Sequence, residues 1–233
     1  MFIASVIGKE GLTLTHYGRV LSEKRQLGLL FNSLNLALGV SFFSVFVGVP
    51  LAFLIKRTDL YFRKYFGYLY LAPILIPPYI NAIAWIDLLG KQGRLNFFNI
   101  YSLAGTILIL TLSYFPFVTL LTISGLSSVD QRLEEQALIS HCESTVIRRI
   151  TLPLIAPYIL CGATFVFIFA ITNYAVPALL RVNTYPVEIF TQFSALYNPQ
   201  LATAASSVLI LITTLLILLQ AVSYTHLRAH ETS

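Results

Sequence analysis

The chain has 233 residues, of which 57% are hydrophobic and 11% charged, against about 25% charged in an ordinary soluble domain, so an aqueous globular fold is a poor match. Fifteen Lys and Arg against ten Asp and Glu give a net charge of +5, but the basic residues are not gathered into an acid-poor patch, which argues against a nucleic-acid partner. The two cysteines, Cys142 and Cys161, are too few for a disulfide framework and lack any CxxC or Cys/His metal spacing.

Residues 1–28 have no basic stretch ahead of their apolar residues and no small-residue cleavage pattern, so they do not read as a signal peptide. They are expected to form a short apolar stub followed by an extracytoplasmic segment. Beyond them, five runs carry no charge at all: 26–55, 65–86, 95–129, 150–180 and 189–227. Each exceeds the roughly 20 residues a helix needs to cross the hydrocarbon of a bilayer. A backbone in lipid must satisfy its own hydrogen bonds, and these runs are apolar throughout instead of alternating every second residue, so helices are predicted and not barrel strands. A soluble bundle would need polar faces, which such runs do not supply. The expected fold is all-α, a polytopic transmembrane helix bundle of about five spans near 29–55, 65–89, 103–125, 154–179 and 203–221, so that residues 29–221 form the transmembrane domain.

With the N-terminus outside, the inner loops hold Lys56, Arg57, Arg63, Lys64, Arg132, Arg148 and Arg149, and the outer segments hold seven basic residues as well. Setting aside the long N-terminal segment leaves three outside, which favours that orientation.

Pro73, Pro77 and Pro78 are predicted to interrupt the second helix, and Pro116 the third, because each removes a backbone hydrogen bond. Broken helices often line a substrate pathway, so Pro77, Pro78, Tyr79, Asn81, Asn173 and Tyr174 are the pathway candidates. Polar side chains at these places serve equally well to hold helices together. Asp87, near the end of the second span, is the one Asp, Glu, His, Lys or Arg within these expected spans. A proton- or sodium-coupled carrier would bury carboxylates or histidines, and there is no GxxxxGK[ST] loop to bind ATP, so transport would have to be driven by another chain. A membrane-embedded transferase would need clustered carboxylates or a nucleophile with its base, and the sequence has no DxxxD or GxSxG, while its one HxxxH, His226 to His230, falls within residues 222–233.

Between the third and fourth helices lies a long hydrophilic connection, 127–153. Ser128 followed by Gln131 is predicted to cap a helix, with Leu133, Ala137 and Leu138 as a short apolar stripe beside Glu134 and Glu135. The connection resembles the cytoplasmic loop of permease subunits of binding-protein-dependent ABC importers, whose pattern is Glu-Ala-Ala, three residues, Gly, nine residues, Ile-x-Leu-Pro. Counting back from Ile150, Leu152 and Pro153 sets Glu134-Glu135-Gln136 at Glu-Ala-Ala and Ser140 at the Gly. Starting from Glu135-Gln136-Ala137 puts His141 there with a spacer one residue short. In both registers the Gly is absent. A solvated interfacial loop of some other membrane protein is the plainer alternative.

Three further stretches look like the ferric-iron type of these permeases: Asn32-Ser33 opening a helix that ends Gly48-Val-Pro-Leu-Ala-Phe-Leu-Ile-Lys-Arg-Thr58, then Ala72 to Trp85, then Asn173-Tyr-Ala-Val-Pro-Ala-Leu-Leu180. The resemblance implies a MetI-like permease fold and a loop that couples to cytoplasmic ABC ATPase subunits through Glu134, Glu135, Gln136, Ala137, Ser140, Ile150, Leu152 and Pro153. It also implies an extracytoplasmic solute-binding protein and a second permease domain, fused or separate. The setting would be the inner membrane of a bacterium, with ATP hydrolysed by another subunit, no enzymatic activity in this chain, no cofactor and no metal site. Ferric iron is the expected substrate; thiamine, polyamine, phosphonate and sulfate permeases share the scaffold.

Residues 222–233, Val-Ser-Tyr-Thr-His-Leu-Arg-Ala-His-Glu-Thr-Ser, differ in character from what precedes them. They resemble the conceptual translation of a sequencing-library adapter, and the natural chain is expected to stop inside or just after the fifth helix.

Overall fold

The computed structural model describes residues 7–8, 11–12, 23–58, 63–91, 93, 95, 99–139 and 142–231. A hairpin of two-residue strands, β1 (Ile7–Gly8) against β2 (Gly11–Leu12), comes first, and the other described elements are helical. The helices are α1 (Lys24–Arg57), α2 (Arg63–Leu69), α3 (Ala72–Leu75), α4 (Pro78–Leu89), α5 (Leu103–Ser128), α6 (Gln131–Leu138), α7 (Glu143–Val146), α8 (Leu152–Ile171), α9 (Ala175–Leu179), α10 (Tyr185–Ser194) and α11 (Pro199–Glu231). A π turn, Ile147–Thr151, joins α7 to α8. Among the described residues, four helical stretches are long and apolar enough to cross a membrane: Lys24–Arg57, Leu103–Ser128, Glu143–Ile171 and Pro199–Gln220. The pair Gly67–Leu75 and Pro78–Leu89 makes a fifth if counted as one broken span, in line with the expected number.

The chain divides into two compact units, one of residues 1–40, 77–110 and 167–217, the other of 41–76, 111–166 and 218–233. In the first, Leu29, Leu36, Ala37 and Val40 form the buried stripe of α1, and α9 packs on α4 and on α10. Polar side chains stitch α1 to the start of α10. Ser33 Oγ accepts the Tyr185 N–H at 2.7 Å while donating to the Leu29 carbonyl, and Asn32 Nδ2 donates to the Asn183 carbonyl at 3.3 Å. Arg25 pairs with the buried Glu188 at 2.9 Å, and Gln192 Nε2 donates to the other Glu188 oxygen at 2.8 Å.

In the second unit, Ala52 of α1, Leu126 of α5 and Ile155 of α8 form a buried cluster with Phe53, Ile123, Val129, Leu152 and Ile159 around it. Lipid gives helices little hydrophobic reason to associate, so close backbone approach has to do much of the work. Val118 of α5 shows this, because a Cβ on Gly48 would stand 3.0 Å from its Cβ and one on Gly162 would stand 3.0 Å from its Cα. Ser41 Oγ adds an interhelical bond to the Ala163 carbonyl at 3.2 Å.

Three expectations need correcting, and a fourth, the break of the second helix, holds. Pro116 does not interrupt the third helix, since α5 runs through it unbroken; one missing N–H inside a well-packed span is tolerated. The second helix does break, because two adjacent prolines restrict the residues before them. Ile76 is extended at φ −102°, ψ 118°, and Pro77 has ψ 136°. The fourth span ends at Ile171 instead of near 179, where Asn173 Oδ1 takes the Val176 N–H at 3.0 Å and Pro177 has none to give, so α9 starts afresh. Finally, Asp130 and not Ser128 caps α6. Its Oδ1 accepts the Arg132 N–H at 3.0 Å, while Ser128 Oγ donates back to the Gly125 carbonyl within α5.

Candidate functional site

The loop singled out by the sequence folds as a short helix, α6, on the second unit. Asp130 opens it, and Glu134 in its first turn faces inward, 9% exposed. Both oxygens of that carboxylate are occupied. Thr151 Oγ1, at the end of the π turn, donates to Oε1 at 2.7 Å, and Arg57 Nη2, in the last turn of α1, lies 2.7 Å from Oε2. The Arg57 side chain is 26% exposed. Its cation at a helix C-terminus also meets the negative end of the α1 dipole. Three stretches far apart in sequence thus converge on one carboxylate.

The outer side of α6 is different. Glu135, Gln136, Leu138 and Ile139 are exposed and Ala137 is half-buried, with Ile139 at 87% exposure. Ser140 and His141, the two alternatives for the position of the family glycine, lie outside the described residues. Ile150 and Leu152 are half-buried, with Leu152 against the Ala52 cluster, and Pro153 is exposed. Pro153 stands in the first turn of α8, on a helical path continuous with the π turn. The π turn precedes it, where the Leu152 N–H bonds the Ile147 carbonyl five residues back. Such a turn accommodates a proline that an unbroken α-helix would resist.

Cys142 stands exposed at the head of α7. The hydroxyls of Ser144, at 3.4 Å, and Thr145, at 3.1 Å, draw its thiol down to about 7 by bonding the thiolate.

The pathway candidates fall in the first unit, on two neighbouring elements. Pro77 and Tyr79 are exposed and Pro78 and Asn81 half-buried at the start of α4. Asn173 and Tyr174 sit directly before α9, which packs against α4. Asn173 spends its Oδ1 on the α9 turn, and the Tyr174 ring lies 4.4 Å from that of Phe190. Asp87, at the other end of α4, lines a cleft with Ile86, Gly90, Lys91, Gly93 and Tyr101.

Sequence reasoning did not find the partners of Glu134, nor the Arg25–Glu188 pair. A signal existed for the second, because Glu188 is the one acid between Glu143 and Glu231, and a lone carboxylate in an apolar tract must be paired or exposed.

The family model described as binding-protein-dependent transport system inner membrane component matches residues 35–229. A probable molybdenum ABC transporter permease of Haloferax volcanii is 31% identical over 157 residues, covering 64% of this chain and 58% of that protein. An Fe(3+)-transport system permease of Haemophilus influenzae is 26% identical over 218 residues, covering 93% of this chain and 41% of that one. This chain therefore spans about half the length of these relatives. Among solved structures, the MetNI methionine ABC transporter aligns with a TM-score of 0.66 at 17% identity, over 85% of this chain and 96% of that one. A bacterial ABC transporter for alginate aligns with a TM-score of 0.71 at 16% identity, over 97% and 87%. At such identities these two speak to the fold.

Proposed function

The chain belongs to the family of inner membrane components of binding-protein-dependent transport systems, and from that premise we propose that it is a permease subunit of an ABC importer. It forms part of a translocation pathway and takes its driving force from cytoplasmic ATPase subunits that dock on α6. The observation that supports this most is the pairing of an internally anchored helix with an exposed apolar end, Leu138 and Ile139. Exposed leucine and isoleucine beside the carboxylate of Glu135 make a knob that a groove of apolar and basic groups can hold. A solute-binding protein delivers substrate on the opposite face, and a second permease domain completes the pathway, with Tyr79, Asn81, Asn173 and Tyr174 near its course. The membrane is the bacterial inner membrane, with α6 and the π turn on its cytoplasmic side.

Ferric iron is the substrate we favour, on the strength of the three motif stretches and the similarity to the Haemophilus influenzae permease along most of this chain. A molybdenum oxyanion is the second reading, favoured by the higher identity to the Haloferax volcanii protein. Uptake of labelled ferric ion and of labelled molybdate by cells expressing the complete transporter separates the two. For the docking claim, Glu135→Lys with Ile139→Asp is expected to abolish co-purification of the ATPase while the permease still inserts; unchanged association sinks it.

A further inference from the structure

The carboxylate of Glu134 is in the stretch that would meet the ATPase, yet each of its oxygens already has a partner within the chain: Thr151 Oγ1 holds one at 2.7 Å and Arg57 Nη2 the other at 2.7 Å, and the residue is only 9% exposed. We infer that Glu134 is a positioning residue, the centre of a strut that fixes α6 to the end of α1 and to the π turn, and that contact with the ATPase falls to Glu135, Gln136, Leu138 and Ile139. The inference rests on the proposal that α6 is the ATPase-docking element.

The connectivity shows why a strut is needed. α6 is eight residues long, and an isolated helix of that length is unstable in water. Its outward face is solvated, so a push from a partner would tilt or unwind it unless something on its inward face resisted. An ion pair of which the Glu134 side chain is 12% exposed and Arg57 26% is screened less than a surface pair. The hydroxyl of Thr151 engages the other oxygen, so both are held in one network. The three groups also belong to different parts of the chain. Arg57 terminates α1, and Thr151 terminates the π turn leading into α8. A displacement of α6 would therefore be delivered to two membrane-spanning helices at once. π turns are often found at functional positions, and this one sets the Thr151 hydroxyl where the carboxylate requires it.

Spin labels at Leu54→Cys and Gln136→Cys, in a Cys142→Ser, Cys161→Ser background, report the distance between the end of α1 and α6 in the permease alone and in its complex with the ATPase, with and without ATP and vanadate. With the strut intact, one narrow distribution is expected in every state. Glu134→Gln is expected to lose the narrow peak in the free permease and to spread further with nucleotide, while ATPase co-purification persists. Exchanging the pair, Arg57→Glu with Glu134→Arg, is expected to restore the narrow peak, which a partner-contact role for Glu134 would not predict. A Glu134→Gln distribution as narrow as that of the parent overturns the inference, as does a parent distance that changes with nucleotide. Co-purification lost with Glu134→Gln to the extent seen for Glu135→Lys also overturns it. Failure of the parent permease to bind the ATPase would instead remove the docking proposal, and the distance in the free permease would still read the strut.

Discussion

Ser33 Oγ accepts the backbone N–H of Tyr185 at 2.7 Å, across 152 residues of sequence, and both residues are buried. The bond satisfies an N–H in the first turn of α10, which the helix itself cannot satisfy. Ser33→Ala would leave that N–H unpaired where water has little access, at a cost of about 1–3 kcal/mol. Unfolding of the purified permease in mixed detergent micelles should register the loss. Ser33→Cys, which keeps a weak acceptor, should fall between the two.

This contact shows what the sequence could and could not disclose. The spans were legible because absence of charge over long runs has few structural meanings, and the break at Ile76 and Pro77 was legible because two successive prolines leave the preceding backbone little choice. Pro116 misled because a single proline leaves the outcome to packing, which is not local. Asn32 and Ser33 stood out as a motif, but that they reach Asn183 and Tyr185 depends on where α10 returns. Glu134 was readable as part of the loop proposed to dock the ATPase from the spacing to Pro153. Its inward orientation follows from Arg57 and Thr151, brought to it by helices whose register no short pattern encodes.

Gly162 and Gly28 are both helical glycines with opposite surroundings. A Cβ on Gly162 would stand 3.0 Å from the Cα of Val118, a backbone atom that cannot step aside, while one on Gly28 would meet nothing within 4 Å. Gly28→Ala should stabilise α1 by about 0.5–1 kcal/mol, because alanine has less backbone entropy to lose. Gly162→Leu should destabilise by roughly 1–3 kcal/mol through overpacking. The same detergent titration on both variants decides the matter, and equal effects would mean that α5 and α8 can separate freely at Val118.

The Arg25–Glu188 pair is lopsided, with side chains 71% and 7% exposed. Exposed ion pairs are worth about 0–1 kcal/mol, whereas stripping the partner from a buried charge costs about 3–5 kcal/mol. Arg25→Ala should fall between these, near 1–2 kcal/mol, since Gln192 still bonds one Glu188 oxygen and solvent reaches the other side. Glu188→Gln, which removes the buried charge and retains the shape, should cost less than Arg25→Ala. The reverse order would show that the guanidinium contributes little to holding Glu188.

Cys142 offers a chemical readout of the proposed docking loop. Its thiol is exposed and drawn down to about 7 by the hydroxyls of Ser144 and Thr145. Alkylation requires the thiolate, so below that pH the rate should fall roughly tenfold per unit, and above it the rate should level off. In a Cys161→Ser background, iodoacetamide labelling followed by mass spectrometry should give a midpoint near 7. Removing the largest contributor with Ser144→Ala should move that midpoint upward, toward the ordinary thiol value of 9.0. Because Cys142 follows α6 by so few residues, a docked ATPase should slow labelling at a pH where the free permease is fully thiolate. Labelling that proceeds at the same rate in the complex would place the contact elsewhere on the loop.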